Sequence, residues 1–241
     1  MSRPEFIQDV YDKNAQLKLV PLDAYVTPAI DKLTTCFEVV IIDTIRLKSR
    51  SNSIIVKVAI VSGSSSPGNV PSSFVLKIFD PWVLEGKEGV TNSTSEAQAL
   101  YESESFAYKC FQECDVAVRK YVLNCYFFGE FTITASSYQV KCGVIGLEYC
   151  GWLRPSESKA VMGDVDAFKE KLREAMKAIH LNRFAHGDLT TPGNIKVSSN
   201  NPDYLIKILD WGDSVSPMYR LEEYWTTRGG DETAIIKFEV T

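Results

Sequence analysis

Two stretches of this 241-residue chain concentrate residues that can do chemistry. The first runs Ile179-His-Leu-Asn-Arg-Phe-Ala-His-Gly-Asp-Leu-Thr-Thr-Pro-Gly-Asn-Ile195 and the second Ile206-Lys-Ile-Leu-Asp-Trp-Gly-Asp213. Carboxylates accept protons, and carboxylate and amide oxygens are the hard ligands that suit Mg²⁺. A third feature lies upstream. Leu100, Ala107, Tyr108 and Phe111 recur at helical spacing, and Glu104 falls on their face, four residues from both Leu100 and Tyr108. A carboxylate there requires a partner, because burying an unpaired charge is costly. Taken singly, these residues have ordinary structural readings. An aspartate after an apolar strand is usually a turn residue, a strand lysine such as Lys77 is usually solvated, and His180 more often caps or packs than reacts. Cys110 and Cys114, one helical turn apart, read as helix packing.

The order of these features resembles that of the protein-kinase-like superfamily, in which His-x-Asp-x-x-x-x-Asn forms a catalytic loop and Asp-Phe-Gly holds metal. His186-Gly187-Asp188 is closer to the aminoglycoside- and choline-kinase-like branch, and to small fungal kinase-like proteins, than to the His-Arg-Asp of typical protein kinases. The likeness spans residues 37 to 213. It implies that Asp188 is the base taking the acceptor's hydroxyl proton, and that Asn194 and Asp210 hold Mg²⁺. Lys77, in Phe74-Val-Leu-Lys, would bind the ATP phosphates and Glu104 would pair with it. Glu148-Tyr149-Cys150 would be the hinge, offering backbone groups to the adenine edge with Leu147 behind it. His186 would be structural, holding the catalytic loop.

The chain also departs from that pattern. The connection from Ile45 to Ser53 has no glycine where the family has Gly-x-Gly-x-x-Gly, whose backbone N–H groups approach phosphate. Lys48, Ser49, Arg50 and Ser51 instead read as a solvated hairpin tip. Five residues, not four, separate Asp188 from Asn194, and Thr190 stands where Ser/Thr kinases carry lysine. Trp211 replaces phenylalanine, and Val75 replaces the small residue over the adenine. Only 28 residues follow Asp213, without an Ala-Pro-Glu motif, so the rear lobe reads as minimal or truncated. The activity implied is an ATP- and Mg²⁺-dependent phosphotransferase acting on a hydroxyl of a protein or small molecule. The alternatives are a pseudokinase serving as a nucleotide-binding or regulatory module, and a fragment of a longer kinase.

The elements that must position these residues follow from the hydrophobic pattern. Phe37–Ile45, Ile54–Val61 and Ser73–Asp80 read as successive antiparallel strands, the third stopped by Pro81, with a flexible loop at Gly63–Asn69. Ser95 with Gln98 is a capping-box signature opening the Glu104 helix. Val122–Phe131 and Tyr138–Cys150 are further strands. Asp164 caps a second helix bearing Val165, Phe168, Leu172, Ala175, Met176 and Ile179 on one stripe. Ile195–Val197 and Tyr204–Leu209 are short strands, Tyr219–Trp225 a short helix, and Ala234–Val240 a strand or ordered tail.

The expected fold is therefore α+β, a two-lobed kinase-like domain over 1–241. Its antiparallel β-rich N-lobe covers about 1–150, its hinge about 148–152, and its minimal helix-led C-lobe about 153–241. A net charge of −5 argues against general nucleic-acid binding, whose footprint is positive. Six cysteines without a Cys-x-x-Cys pair, and only two histidines, exclude zinc-finger spacing and a multi-histidine metal cage. With no signal-peptide core and no apolar run near the ~18–20 residues of a membrane span, a reducing, cytoplasmic setting without membrane association is expected.

Overall fold

The computed structural model describes residues 10–27, 31–46, 52–62, 64, 70–85, 90–136, 138–200, 203–216 and 221–238. The chain divides into two compact units, one of residues 1–105 and 124–149, the other of 106–123 and 150–241.

In the first unit the strands are β1 (Gln16–Val26), β2 (Asp31–Leu33), β3 (Phe37–Arg46), β4 (Ile54–Ile60), β5 (Ser73–Phe79), β6 (Cys125–Ala135) and β7 (Tyr138–Leu147). Their order is β2-β1-β3-β4-β5-β7-β6, every pairing is antiparallel, and β1 also pairs with β6. That last pairing closes six strands into a barrel and removes the unpaired edges an open sheet would carry. The expected two-lobed kinase-like architecture is thereby corrected. The chain forms a closed six-stranded antiparallel β-barrel with a few helices, in place of a β-rich N-lobe joined to a helix-led C-lobe.

The strand responsible, β1, is one the hydrophobic pattern did not reveal. Pro21 interrupts it, and the register against β6 shifts between Pro21 and Asp23, the kind of irregularity that accommodates a residue lacking an N–H. Alternate residues of each strand fill the barrel. Phe37, Phe74, Phe127 and Phe131 are fully buried there and meet edge-on at centroid distances of 5.5–6.3 Å. A buried polar group lies in the same unit. Both the Tyr11 and Tyr138 hydroxyls donate to Asp80 Oδ2, at 2.7 and 2.5 Å, and Asp80 Oδ1 accepts the Trp82 N–H that opens α1 (Pro81–Leu84). Burial pushes the Asp80 carboxyl upward, and these three hydrogen bonds oppose the shift.

Helix α2 (Ser93–Glu113) begins in the first unit and continues past residue 105 into the second. Its cap is Asn92, whose Oδ1 accepts the Thr94 and Ser95 N–H groups at 3.1 Å, in place of the expected Ser95–Gln98 box. Tyr101 explains why β7 carries a glycine. A Cβ on Gly143 would lie 2.2 Å from the Tyr101 ring, so the helix seats directly on the strand there.

The second unit contains α3 (Val116–Arg119), α4 (Lys159–Gly163), α5 (Val165–Leu181), the hairpin β8 (Ile195–Val197) and β9 (Ile206–Ile208), and α6 (Leu221–Ile236). Asp164 caps α5 as expected, accepting the Ala167 N–H at 2.9 Å, and Phe168, Leu172, Ala175, Met176 and Ile179 are buried. Over the described residues 221–236, the short helix expected at 219–225 and the start of the expected strand or ordered tail at 234–240 form the single helix α6. The hairpin tip at 47–51 and most of the loop at 63–69 lie outside the described residues. Among the described residues, no helix is long and apolar enough to cross a membrane.

Candidate functional site

Lys77 and Glu104 belong to the first unit, and the structure brings them together. Strand alternation sends Phe74, Leu76 and Ile78 into the barrel and turns Lys77 to its outer face. On α2 the buried stripe runs through Ala97, Tyr101, Glu104, Tyr108 and Phe111. Lys77 Nζ meets Glu104 Oε2 at 2.5 Å, with side chains 5% and 1% exposed. This answers why a carboxylate occupies an apolar helix face. An ion pair so deeply buried is weak support for stability in itself, but breaking it by removing one member is strongly destabilising.

Glu148 is held by Asn124 in the same unit. Its N–H donates to the Asn124 carbonyl at 2.8 Å, while its Oε2 accepts the Asn124 main-chain N–H at 3.1 Å and Nδ2 at 3.0 Å. The Glu148 N–H is therefore committed within the protein. Cys150 lies in the second unit and is half-buried.

Asp188, Asn194 and Asp210 all lie in the second unit, on two backbone segments that hydrogen bonds tie together. The Leu209 N–H donates to the Asn194 carbonyl at 2.8 Å. His186 joins the same segments through its ring. Its Nδ1 accepts the Asp188 N–H at 3.1 Å, which places the ring proton on Nε2, and Nε2 donates to the Leu209 carbonyl at 2.8 Å. Full burial lowers the His186 pKa, with the Leu209 carbonyl and Asp231, Asp210 and Asp188 acting against that shift. The ring also packs edge-on against Trp211, centroids 4.7 Å apart, and the Trp211 indole donates to the Ile208 carbonyl.

The additional residue between Asp188 and Asn194 is absorbed locally. Thr190 is exposed, and Thr191 turns back to donate to Asp188 Oδ1 at 2.7 Å before a 3₁₀ turn at Pro192–Asn194. Asn194 is buried, and its Nδ2 donates to both Asp188 Oδ2 and the Asp188 carbonyl at 3.0 and 2.9 Å. Asp210 adopts a left-handed conformation, φ 64°, tolerated by aspartate better than by most side chains. Such a conformation persists only where the surroundings determine it, and it recurs at functional sites.

Asp231 of α6 is the residue the sequence reading did not single out. Its carboxylate is 2% exposed, accepts the His186 N–H at 2.7 Å and the Gly187 N–H at 3.0 Å, and contacts His180 Nε2 at 3.2 Å. The signal was available. Tyr224, Asp231 and Ile235 share one helical face, and all are buried, so Asp231 stands out as Glu104 does once the segment is read as helix.

A carboxylate and an amide oxygen on tied segments are the hard donors Mg²⁺ takes, with phosphate and water completing its shell. Among the described residues, no three His, Cys, Asp or Glu side chains form a metal cage. Compared with the families of known proteins and with curated protein sequences, the chain matches none. The likeness to kinase-like enzymes accordingly rests on the motifs themselves.

Proposed function

We propose that the chain is an ATP- and Mg²⁺-dependent phosphotransferase that moves the γ-phosphate to a hydroxyl acceptor, a protein side chain or a small molecule. The reading rests on side-chain arrangement and not on a kinase-like fold, which the closed barrel replaces. One observation carries it: the His186 ring, between the Asp188 N–H and the Leu209 carbonyl, holds the loop of Asp188 against the segment ending in Asp210. Catalysis of phosphoryl transfer is chiefly positioning and electrostatics, for which such rigidity is the requirement. Asp188 would take the acceptor's proton, with Thr191 and Asn194 orienting its carboxylate. Asn194 and Asp210 would hold Mg²⁺, which when bound neutralises phosphate charge. In the first unit, Lys77 paired with Glu104 is the cation that the resemblance assigns to the ATP phosphates.

The second reading is a nucleotide-binding module without transfer. It is favoured by the Asp188 carboxylate, both of whose oxygens already accept hydrogen bonds within the loop. One experiment separates the two. Mg²⁺-ATP should raise the Tm of the purified chain, since ligand binding to the native state stabilises by mass action, and the shift should vanish in Asp210→Ala. ATP turnover with the shift supports the transferase, and a shift without turnover selects the module. No shift at millimolar ATP, with or without Mg²⁺, sinks both readings.

A further inference from the structure

Within the second unit, α5 and α6 enclose a groove of about 320 Å³ on a side of the helices that the loop chemistry does not use. From α5 come Arg173, Met176, Lys177 and His180, spaced so that all four share one face over two turns. From α6 come Arg228, Glu232, Ile235 and Ile236. Met176 and Ile235 are buried and form an apolar floor, which the exposed Ile236 extends to the rim.

Charge on that rim is positive on balance. The lining carries three cations and one carboxylate, Glu232, and with Glu170 beside Arg173 the balance is one cation in excess, Lys177, in a chain whose overall charge is −5. Glu232 bonds Arg228 at 3.3 Å, and Arg173 reaches out to Glu170 of its own helix. Apolar surface beneath a surplus of positive charge matches a ligand with the opposite design, an anionic head on an apolar body. The volume lies at the lower end of the ~300–1,000 Å³ typical of ligand pockets, which suits a small molecule.

We propose that this groove binds a small apolar carboxylate, its head at Arg173, Lys177 and Arg228 and its body on Met176, Ile235 and Ile236. His180 gives such binding a consequence. It lines the groove and contacts Asp231, the carboxylate that holds the His186 and Gly187 N–H groups. An occupant packed on His180 restrains Asp231 and, through it, the loop that carries Asp188. This inference does not depend on phosphotransfer.

The test is calorimetric titration of the full chain with 4-phenylbutyrate and its uncharged analogue 4-phenylbutanol, with amide hydrogen exchange on the saturated protein. The acid should bind about tenfold or more tightly than the alcohol. Lys177→Glu should weaken the acid by about tenfold, and Arg228→Gln, which removes the cation without setting a second carboxylate beside Glu232, should weaken it as well. Exchange at His186 and Gly187 should slow. Equal binding of acid and alcohol, indifference to both substitutions, or no binding at millimolar acid overturns the site. Unchanged exchange with the acid bound overturns its link to the loop.

Discussion

The Asp231 carboxylate spans two consecutive main-chain N–H groups, taking that of His186 on Oδ2 and that of Gly187 on Oδ1. These donors belong to a loop with no regular secondary structure of its own, and a buried N–H without an acceptor is costly. A side chain 44 residues beyond Gly187 thus does for the loop what a strand neighbour does for a sheet.

Replacing Asp231 with alanine leaves both N–H groups and His180 without their shared acceptor. The expected cost is about 2–5 kcal/mol by chemical denaturation, with Asp231→Asn losing less because one oxygen remains. Amide exchange at His186 and Gly187 should accelerate in both variants. Exchange unchanged from the parent protein would show that other contacts hold the loop.

The Lys77–Glu104 pair should behave as a buried ion pair. Lys77→Met alone and Glu104→Leu alone are each expected to cost about 3–5 kcal/mol, because each breaks a deeply buried ion pair. The double variant should recover most of that loss. Additive costs in the double-variant cycle would mean the two side chains do not depend on each other.

His186 makes stability depend on pH in a defined direction. Its folded-state pKa lies below the ordinary 6.5, so the native state favours the neutral ring. The contribution is complete above about pH 6.5 and is lost as pH falls from there toward the folded-state value. The slope attributable to one proton is at most ~1.4 kcal/mol per pH unit. Asp80, whose carboxyl is raised above 3.8, acts in the opposite sense at lower pH, since protonation favours its buried form. Denaturation midpoints of the parent and of His186→Asn between pH 7.5 and 5 isolate the histidine. A parent slope as flat as the variant's would contradict the assignment.

Gly187 has φ +86°, and a Cβ there would stand 2.5 Å from the Asp213 carbonyl oxygen. Gly187→Ala combines a left-handed penalty of about 1–2 kcal/mol with displacement of the Asp213 backbone. A thermal melt should show lowered stability, and Mg²⁺-ATP stabilisation, where present, should shrink with it.

How much of this was legible beforehand depends on the range of the forces involved. Glu104 on an apolar face demanded a partner, the Phe74-Val-Leu-Lys strand pointed to Lys77 through its likeness to the kinase-like lysine, and Asp164 marked the start of its helix. The first and last follow from spacing within a few residues. The spacing of His186, Asp188 and Asn194 likewise flagged their loop, although not how Thr191 folds back on Asp188. Closure of the barrel was different. It required β1, masked by Pro21, to pair with β6 more than 100 residues away, and no local pattern names a strand's neighbour. Asp231 was hidden for the same reason, its worth lying in contacts with His186 and Gly187. Sequence by itself determined which faces are apolar and which charges needed company. Tertiary structure alone decided which strands met and which buried groups answered one another, because those choices minimise unpaired polar groups over the whole fold.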